Sequence, residues 1–286
     1  MTNYTPVELA FDSVEPIDYE KDKAPIIFLH GLWAFKEYWY NIPNTVANAT
    51  KRKAYVMDLR NHGDSEWSDE FNFDCTVDDL IHFMDKMECS KAVLIGHSIG
   101  GIAALKTALR WPERVEKLIL EDADIRRPPR QMVDLSVFYL SLCQRAISQV
   151  PVGASEDEAK KFIVDYVRKL TSGLKIPKHI RKPEYSNFSL KRAPDGQFQF
   201  KVNTPAMIKA LKNTESLMAE PNGIYEKPTL FIYAEFSPFE IGKNIPINKA
   251  LFPNAKFVNI KNSTHTVHTD YPREFTEEVL KFLQEE

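Results

Sequence analysis

The stretch Lys91-Ala92-Val93-Leu94-Ile95-Gly96-His97-Ser98-Ile99-Gly100 decides the fold of this chain. Its second half has the form G-x-S-x-G. The first half is a short apolar run that predicts a buried strand. Beyond the serine, Ile102, Ala103, Leu105, Ala108 and Leu109 recur at helical spacing until Pro112 stops the pattern. A serine at such a strand-to-helix junction sits on a tight turn that lifts its hydroxyl out of the sheet. The flanking positions need glycine, because side chains there would collide with the neighbouring strand and helix. The helix N-terminus just behind the serine favours negative charge. A chance Gly-rich turn needs no strand before it and no helix after it; this sequence has both.

Working outward, the same rhythm repeats. Val7 to Val14 predicts an early strand. Pro25 to Leu29 is an almost wholly apolar strand ending at His30-Gly31, and Ala54 to Met57 is another ending at Asp58. Thr76 to Met87 predicts a helix, with Thr76 as N-cap and acids in the first turn. Strands are also predicted at Lys117 to Leu120, Thr229 to Tyr233 and Lys256 to Ile260. Pro272 to Leu283 predicts a final helix with Phe275, Val279 and Phe282 on one face. Short apolar strands alternating with helices predict an α/β fold: a mostly parallel central sheet covered on both faces.

Between Ile125 and Glu220 the alternation stops. Gln131 to Val150, Glu156 to Leu170 and Pro205 to Lys212 predict helices, and Gln197 to Val202 a short extended piece. The expected organisation is therefore a core of residues 1–124 and 221–286 with a helical cap, 125–220, inserted between two strands. From Arg126 to Arg192 there are 14 Lys/Arg against 6 Asp/Glu. A basic lid facing an anionic substrate or a membrane surface is one reading. A solvated helical face is preferred, because the basic residues are scattered.

Composition narrows the function classes. The 286 residues suit one large α/β domain with an insertion, or two small domains. A net charge of −3 gives no reason to expect nucleic acid. No apolar run approaches the roughly 18 residues of a membrane span. Three widely spaced cysteines, Cys75, Cys89 and Cys143, form neither a metal-ligand pattern nor a disulfide framework. A reducing compartment is the simplest expectation. Met1 to Asp22 has no basic start or apolar core, and it contains acids and no arginine. A cytoplasmic address is expected, although a trimmed chain would look the same. No cofactor and no metal are expected; oligomeric state is left open.

A serine hydroxyl needs a base within hydrogen-bond reach, and an acid that holds the base in one tautomer. In an open parallel sheet such groups collect at the carboxyl ends of the strands. Of seven histidines, only His265 and His268 come late enough for the chain order nucleophile, acid, histidine. His265 is preferred; His268 would then orient the loop. For the acid, the loop Ala234-Glu235-Phe236-Ser237-Pro238 contains no aspartate. Asp122, the first aspartate beyond the earlier strand, is preferred over Glu235 and Asp124. The backbone N–H groups of Ile99 and of Leu32 are the expected oxyanion donors. Trp33, Phe35, Trp39 and Tyr40 follow, as walls of an acyl pocket or as ordinary core aromatics.

Four motifs carry a family likeness: His30-Gly31-Leu32-Trp33, Asp58-Leu59-Arg60-Asn61-His62-Gly63-Asp64-Ser65, Gly96-His97-Ser98-Ile99-Gly100-Gly101, and His265 seven residues before Pro272. They resemble the α/β-hydrolase superfamily, and within it the abhydrolase-domain-containing-eleven type of small serine esterases, a group that includes bacterial esterases and yeast alcohol acetyltransferases. The likeness is strongest from residue 25 to 124 and returns around Phe198-Gln199-Phe200-Lys201-Val202-Asn203 and at the C-terminus. It implies Asp122 as the acid, since that group carries it after the earlier strand. Many other hydrolases have an aspartate at the position matching Ser237. Thr264 stands where the family usually has glycine. The likeness also implies a mitochondrial address as an alternative, since animal members are often mitochondrial. The expectation is a cofactor-independent serine hydrolase of short- or medium-chain acyl esters or glycerolipids. Two alternatives are an acyltransferase or thioesterase using the same triad, and a non-catalytic ligand receptor on this fold.

Overall fold

The computed structural model of the protein describes residues 4–173, 188–193, 195–218 and 222–285. Lys175, Lys178, His179, Arg181 and Lys182, part of the basic stretch, lie outside them. The centre is a seven-stranded sheet. Its strands are β1 (Phe11–Val14), β2 (Ile26–Leu29), β3 (Ala54–Met57), β4 (Ala92–His97), β5 (Val115–Glu121), β8 (Thr229–Ala234) and β9 (Ala255–Ile260), in the order β1-β3-β2-β4-β5-β8-β9. Only β1 runs antiparallel, against β3. A short hairpin, β6 (Leu190–Arg192) with β7 (Phe198–Phe200), forms a second sheet.

Both sheet faces are buried, and the strand period of two explains how. Ile27 and Leu29 point to one face, against Leu80, Phe83 and Met84 of α2 (Phe73–Lys86) and Leu105 of α3 (Ile99–Arg110). Ile26 and Phe28 point to the other face. There they meet Ile42 and Val46 of α1 (Ile42–Thr50) and the Phe275-Val279-Phe282 stripe of α10 (Pro272–Gln284).

Two local expectations change. Helix α2 starts earlier than Thr76. The Asn72 side chain accepts hydrogen bonds from the N–H groups of Asp74 and Cys75, both at 2.9 Å, while the Thr76 hydroxyl bonds back to the Phe73 carbonyl. Asparagine is among the strongest N-caps, so it takes the position four residues upstream of Thr76. Strand β1 is shorter than Val7 to Val14. Val7 and Ala10 give their N–H groups to the Asp79 carboxylate and the Ser65 hydroxyl rather than to a strand.

Between β5 and β8 lie α4 (Arg130–Ile147), α5 (Glu156–Thr171), the β6–β7 hairpin, α6 (Thr204–Lys212) and α7 (Thr214–Leu217). They have their own apolar cluster, including Leu142, Ala146, Ile163, Val167, Phe188 and Phe200. Two remaining short helices, α8 (Ile245–Leu251) and α9 (Val267–Asp270), flank β9. Among the described residues no helix is long and apolar enough to cross a membrane.

Candidate active site

Strand β4 ends at His97 and α3 begins at Ile99, so Ser98 is the whole junction. Its backbone is strained, at φ 52° and ψ −117°. Gly100 is obligatory here: a β-carbon on it would run into the Leu29 carbonyl of the neighbouring strand. Ser98 caps α3 without spending its side chain on the cap. The hydroxyl is instead 2.9 Å from His265 Nε2.

His265 lies in the loop after β9. Its Nδ1 is 2.6 Å from Asp122 Oδ2. Asp122 follows β5 directly, is fully buried, and has φ 44°, an uncommon value for a non-glycine residue. The end of β8 anchors it. The Ala234 N–H donates to Oδ1 at 3.1 Å, and the Ser237 hydroxyl donates to Oδ2 at 3.0 Å. Carboxylate oxygens buried this deeply need such donors. Sequence reasoning treated Ser237 only as a missing aspartate; its hydroxyl in fact holds the aspartate on the adjacent strand.

The rejected candidates are elsewhere. Glu235 accepts from the Asn262 N–H. Asp124 accepts from the Arg126 N–H and from Asn244. His268 bonds Glu121 instead, with Nδ1 at 2.7 and 2.8 Å from the two carboxylate oxygens. His97, beside them, donates through Nε2 to the His265 carbonyl at 2.9 Å. Burial pushes the His97 ring down to about 3, so it is neutral. Burial raises the Glu121 carboxyl, but the His268 ring and backbone N–H beside it more than offset this and leave it below its ordinary value. Donor atoms of His97, Glu121 and His268 lie within 4.8 Å of one another, the spacing of a loose cation cluster. Both carboxylate oxygens are already committed to His268, so the set fits a hydrogen-bonded layer better than a metal. Sequence reasoning missed this layer.

Ser98, His97, Ile99 and His265 line a cavity of about 710 Å³ together with Leu32 and Trp33. The cap contributes Met132, Val133, Tyr139 and Phe188. Leu32 belongs to a turn closed by the Ala34 N–H on the Gly31 carbonyl, 3.1 Å, with Trp33 in a left-handed conformation at φ 64°. The Trp33 ring packs edge-on against Phe200 and Phe188, at 5.2 and 6.1 Å between centroids. Phe35 and Tyr40 also reach the cavity. Trp39 does not; it is fully buried in the core, against Phe28 and His268. Thr264 bonds Asp270 through both its N–H and its hydroxyl, at 2.7 and 2.5 Å. This ties the His265 loop to α9 where a glycine would be loose.

A hydrogen-bonded serine, histidine and aspartate, beyond the ends of β4, β9 and β5 of a mostly parallel sheet and under a helical cap, define a hydrolase architecture. A family profile described as alpha/beta hydrolase fold matches residues 24–272, and the chain belongs to that family. Among curated relatives, the zebrafish (Danio rerio) protein named sn-1-specific diacylglycerol lipase ABHD11 is 29% identical over 99% of this chain and 85% of its own. Ethanol acetyltransferase 1 of Hanseniaspora uvarum is 26% identical over 88% of this chain and 77% of its own. A solved structure titled as a marine microorganism esterase superposes with TM-score 0.78 at 24% identity, covering 96% of this chain and 99% of that one.

Proposed function

We propose that the chain is a serine hydrolase that cleaves carboxylic esters through an acyl-enzyme, with Ser98 as nucleophile, His265 as base and Asp122 as its orienting acid. Ser98 Oγ attacks the acyl carbonyl while His265 Nε2 takes its proton. The imidazolium, held through Nδ1–H by Asp122, then gives that proton to the departing alcohol. Water, deprotonated in turn by His265, attacks the acyl-enzyme; the bond from the acyl carbon to Ser98 Oγ breaks, Oγ takes the proton back from His265 Nε2, and the acid leaves. The N–H groups of Leu32 and Ile99 hold the oxyanion; the latter is a first-turn donor at the N-terminus of α3, with no partner inside its own helix.

The observation that carries this reading is the continuous line Ser98–His265–Asp122, at 2.9 and 2.6 Å, opening into a cap-covered cavity. The apolar cap side suits a short or medium acyl chain or an acylglycerol, with Trp33 as a wall. Ser98→Ala removes the nucleophile, and turnover of p-nitrophenyl butyrate should drop to background. In a well-studied enzyme of the same triad logic the loss is about 10⁶-fold. A tenth of the activity surviving would sink the mechanism.

A second reading keeps the same acyl-enzyme and changes the acceptor from water to an alcohol. The relative named ethanol acetyltransferase favours it. Product analysis with and without added ethanol separates the two. Labelling by a fluorophosphonate probe separates both from a receptor without turnover.

A further inference from the structure

Behind the proposed triad lies a second layer whose members are tied to it through the backbone. His97 immediately precedes Ser98, and Glu121 immediately precedes Asp122. His268 follows His265 within α9, the short helix that the base's loop enters. None of the three is more than 3% exposed.

The layer is bonded both internally and to the base. Glu121 accepts from the His268 ring at 2.7 and 2.8 Å and from the His268 backbone N–H at 2.9 Å. The end of β5 therefore grips the start of α9, one residue before the point where Asp122 grips His265. His97 closes the layer from the nucleophile's side through its 2.9 Å bond to the His265 carbonyl. A β-carbon on Gly31, in the turn that carries Leu32, would lie 2.5 Å from His97 Nδ1, so the oxyanion turn rests on the same ring. Trp39 lies against the His268 ring at 4.6 Å between centroids, and Tyr38 meets it edge-on at 4.9 Å, which leaves it little room to turn.

Packing alone does not call for these residue types. A buried carboxylate–imidazole pair is costly to desolvate, and apolar side chains of similar volume would often fill the site at least as stably. The pair instead supplies direction: the ring Nδ1–H, shared between the two carboxylate oxygens, and the backbone N–H of His268 fix the His265 loop relative to the Asp122 strand end. The distance it controls is the one between His265 Nε2 and Ser98 Oγ, where a misplacement of about 1 Å can cost about 10²-fold in rate.

We propose that Glu121, His268 and His97 are positioning residues, a buried carboxylate–imidazole layer that holds the His265 imidazole between Asp122 and Ser98. This rests on the reading of Ser98, His265 and Asp122 as the reacting groups.

The test uses the full chain and an ester substrate, with active sites counted by the endpoint of fluorophosphonate labelling. Normalising to that count removes any loss from misfolded protein. Glu121→Gln and His268→Phe should each lower kcat per titrated site about tenfold to a hundredfold, with KM little changed and labelling slowed in parallel. His268→Asn keeps an N–H donor near the position of the ring Nδ1–H, and should recover most of what His268→Phe loses. A merely structural layer would lower melting temperature and the number of titrated sites, while leaving kcat per site intact. Wild-type kcat per site in Glu121→Gln and His268→Phe would overturn the proposal. Should Glu121→Gln not fold, the His268 pair decides: equal kcat per site for Asn and Phe also overturns it. If Ser98→Ala stays active, the catalytic reading itself fails. If Ser98→Ala is dead and these variants turn over normally, only the positioning layer fails.

Discussion

Asp122→Asn is the most discriminating perturbation of the site, because the structure dictates which way the new amide must face. Asp122 Oδ1 receives the Ala234 N–H, a backbone donor fixed at the end of β8, and Oδ2 receives His265 Nδ1. The asparagine oxygen must take the Ala234 side, and its NH₂ then points at His265. Facing a donor, His265 turns Nδ1 into an acceptor and carries its proton on Nε2. An Nε2–H cannot accept the Ser98 proton, so the site is held in the wrong tautomer. The productive orientation requires flipping the amide. That sets its NH₂ against the Ala234 N–H and leaves two buried donors unpaired, at about 1–3 kcal/mol each. The flip therefore costs about 2–6 kcal/mol, which corresponds to a kcat loss of about 30-fold to about 10⁴-fold. Ser237 does not block the inactive state, since its hydroxyl can rotate from donating to accepting.

The assay is steady-state hydrolysis of p-nitrophenyl butyrate near pH 8, with thermal melts on every variant. Glu235→Gln and Asp124→Asn serve as controls and should retain most of the activity, since their carboxylates bond elsewhere. A folded Asp122→Asn enzyme within tenfold of wild type would refute the reasoning. A crippled Glu235→Gln beside a near-normal Asp122→Asn would place the acid after β8 instead.

Three further outcomes are expected. His265→Ala should be nearly as damaging as loss of Ser98, and His268→Ala much milder, in kcat measured on the same ester; the reverse ranking would exchange their roles. Trp33→Ala removes a ring from the cavity wall and should move the preference among graded p-nitrophenyl esters toward longer acyl chains; an unchanged profile would place Trp33 outside the acyl site. Stability should fall as pH drops from 6.5 toward 4. Burial pushes His30 down to about 4 and His62 and His97 to about 3. These rings stay neutral in the folded chain while their unfolded counterparts take up protons below about pH 6.5. Their contribution is complete above pH 6.5 and is lost as pH falls through the folded values. Near pH 5 three such rings give a slope of about 4 kcal/mol per pH unit. Urea unfolding midpoints at several pH values test this, and His62→Gln should reduce the slope by about a third; a flat midpoint between pH 7 and 5 would contradict it.

Much of the fold was legible because each central strand is an unbroken apolar run, and a strand buried on both faces has to be one. The hairpin of β6 and β7 was only half legible. Leu190–Arg192 carries two charges in three residues and has no pattern of its own; it exists because Phe200 and Leu190 join the cap cluster. The Asn72 cap was missed because a threonine near the first acids satisfies the same local rule. Glu121 and His268 are 147 positions apart, and neither has an unusual neighbourhood in sequence. The one available signal was adjacency, and it reaches only His97 and Glu121: strand-end residues next to Ser98 and Asp122 point to the opposite side of the chain.

The choice between two strands for the acid, open in the sequence, has a geometric origin. β5 and β8 are paired in parallel, with Glu121 opposite Ile232, so both strands deliver their following residues to one place. An aspartate after either strand can present a carboxylate to the histidine coming off β9. The spot needs one carboxylate and enough donors for its buried oxygens, and the paired strand ends supply these jointly. Here the end of β5 provides the carboxylate and the end of β8 provides the Ala234 N–H and the Ser237 hydroxyl. The missing aspartate at position 237 is thus the other half of the same arrangement: a second carboxylate there would face Asp122 across about 3 Å, where two like charges cannot both stay ionised without large cost. A hydroxyl at 237 supports a carboxylate at 122.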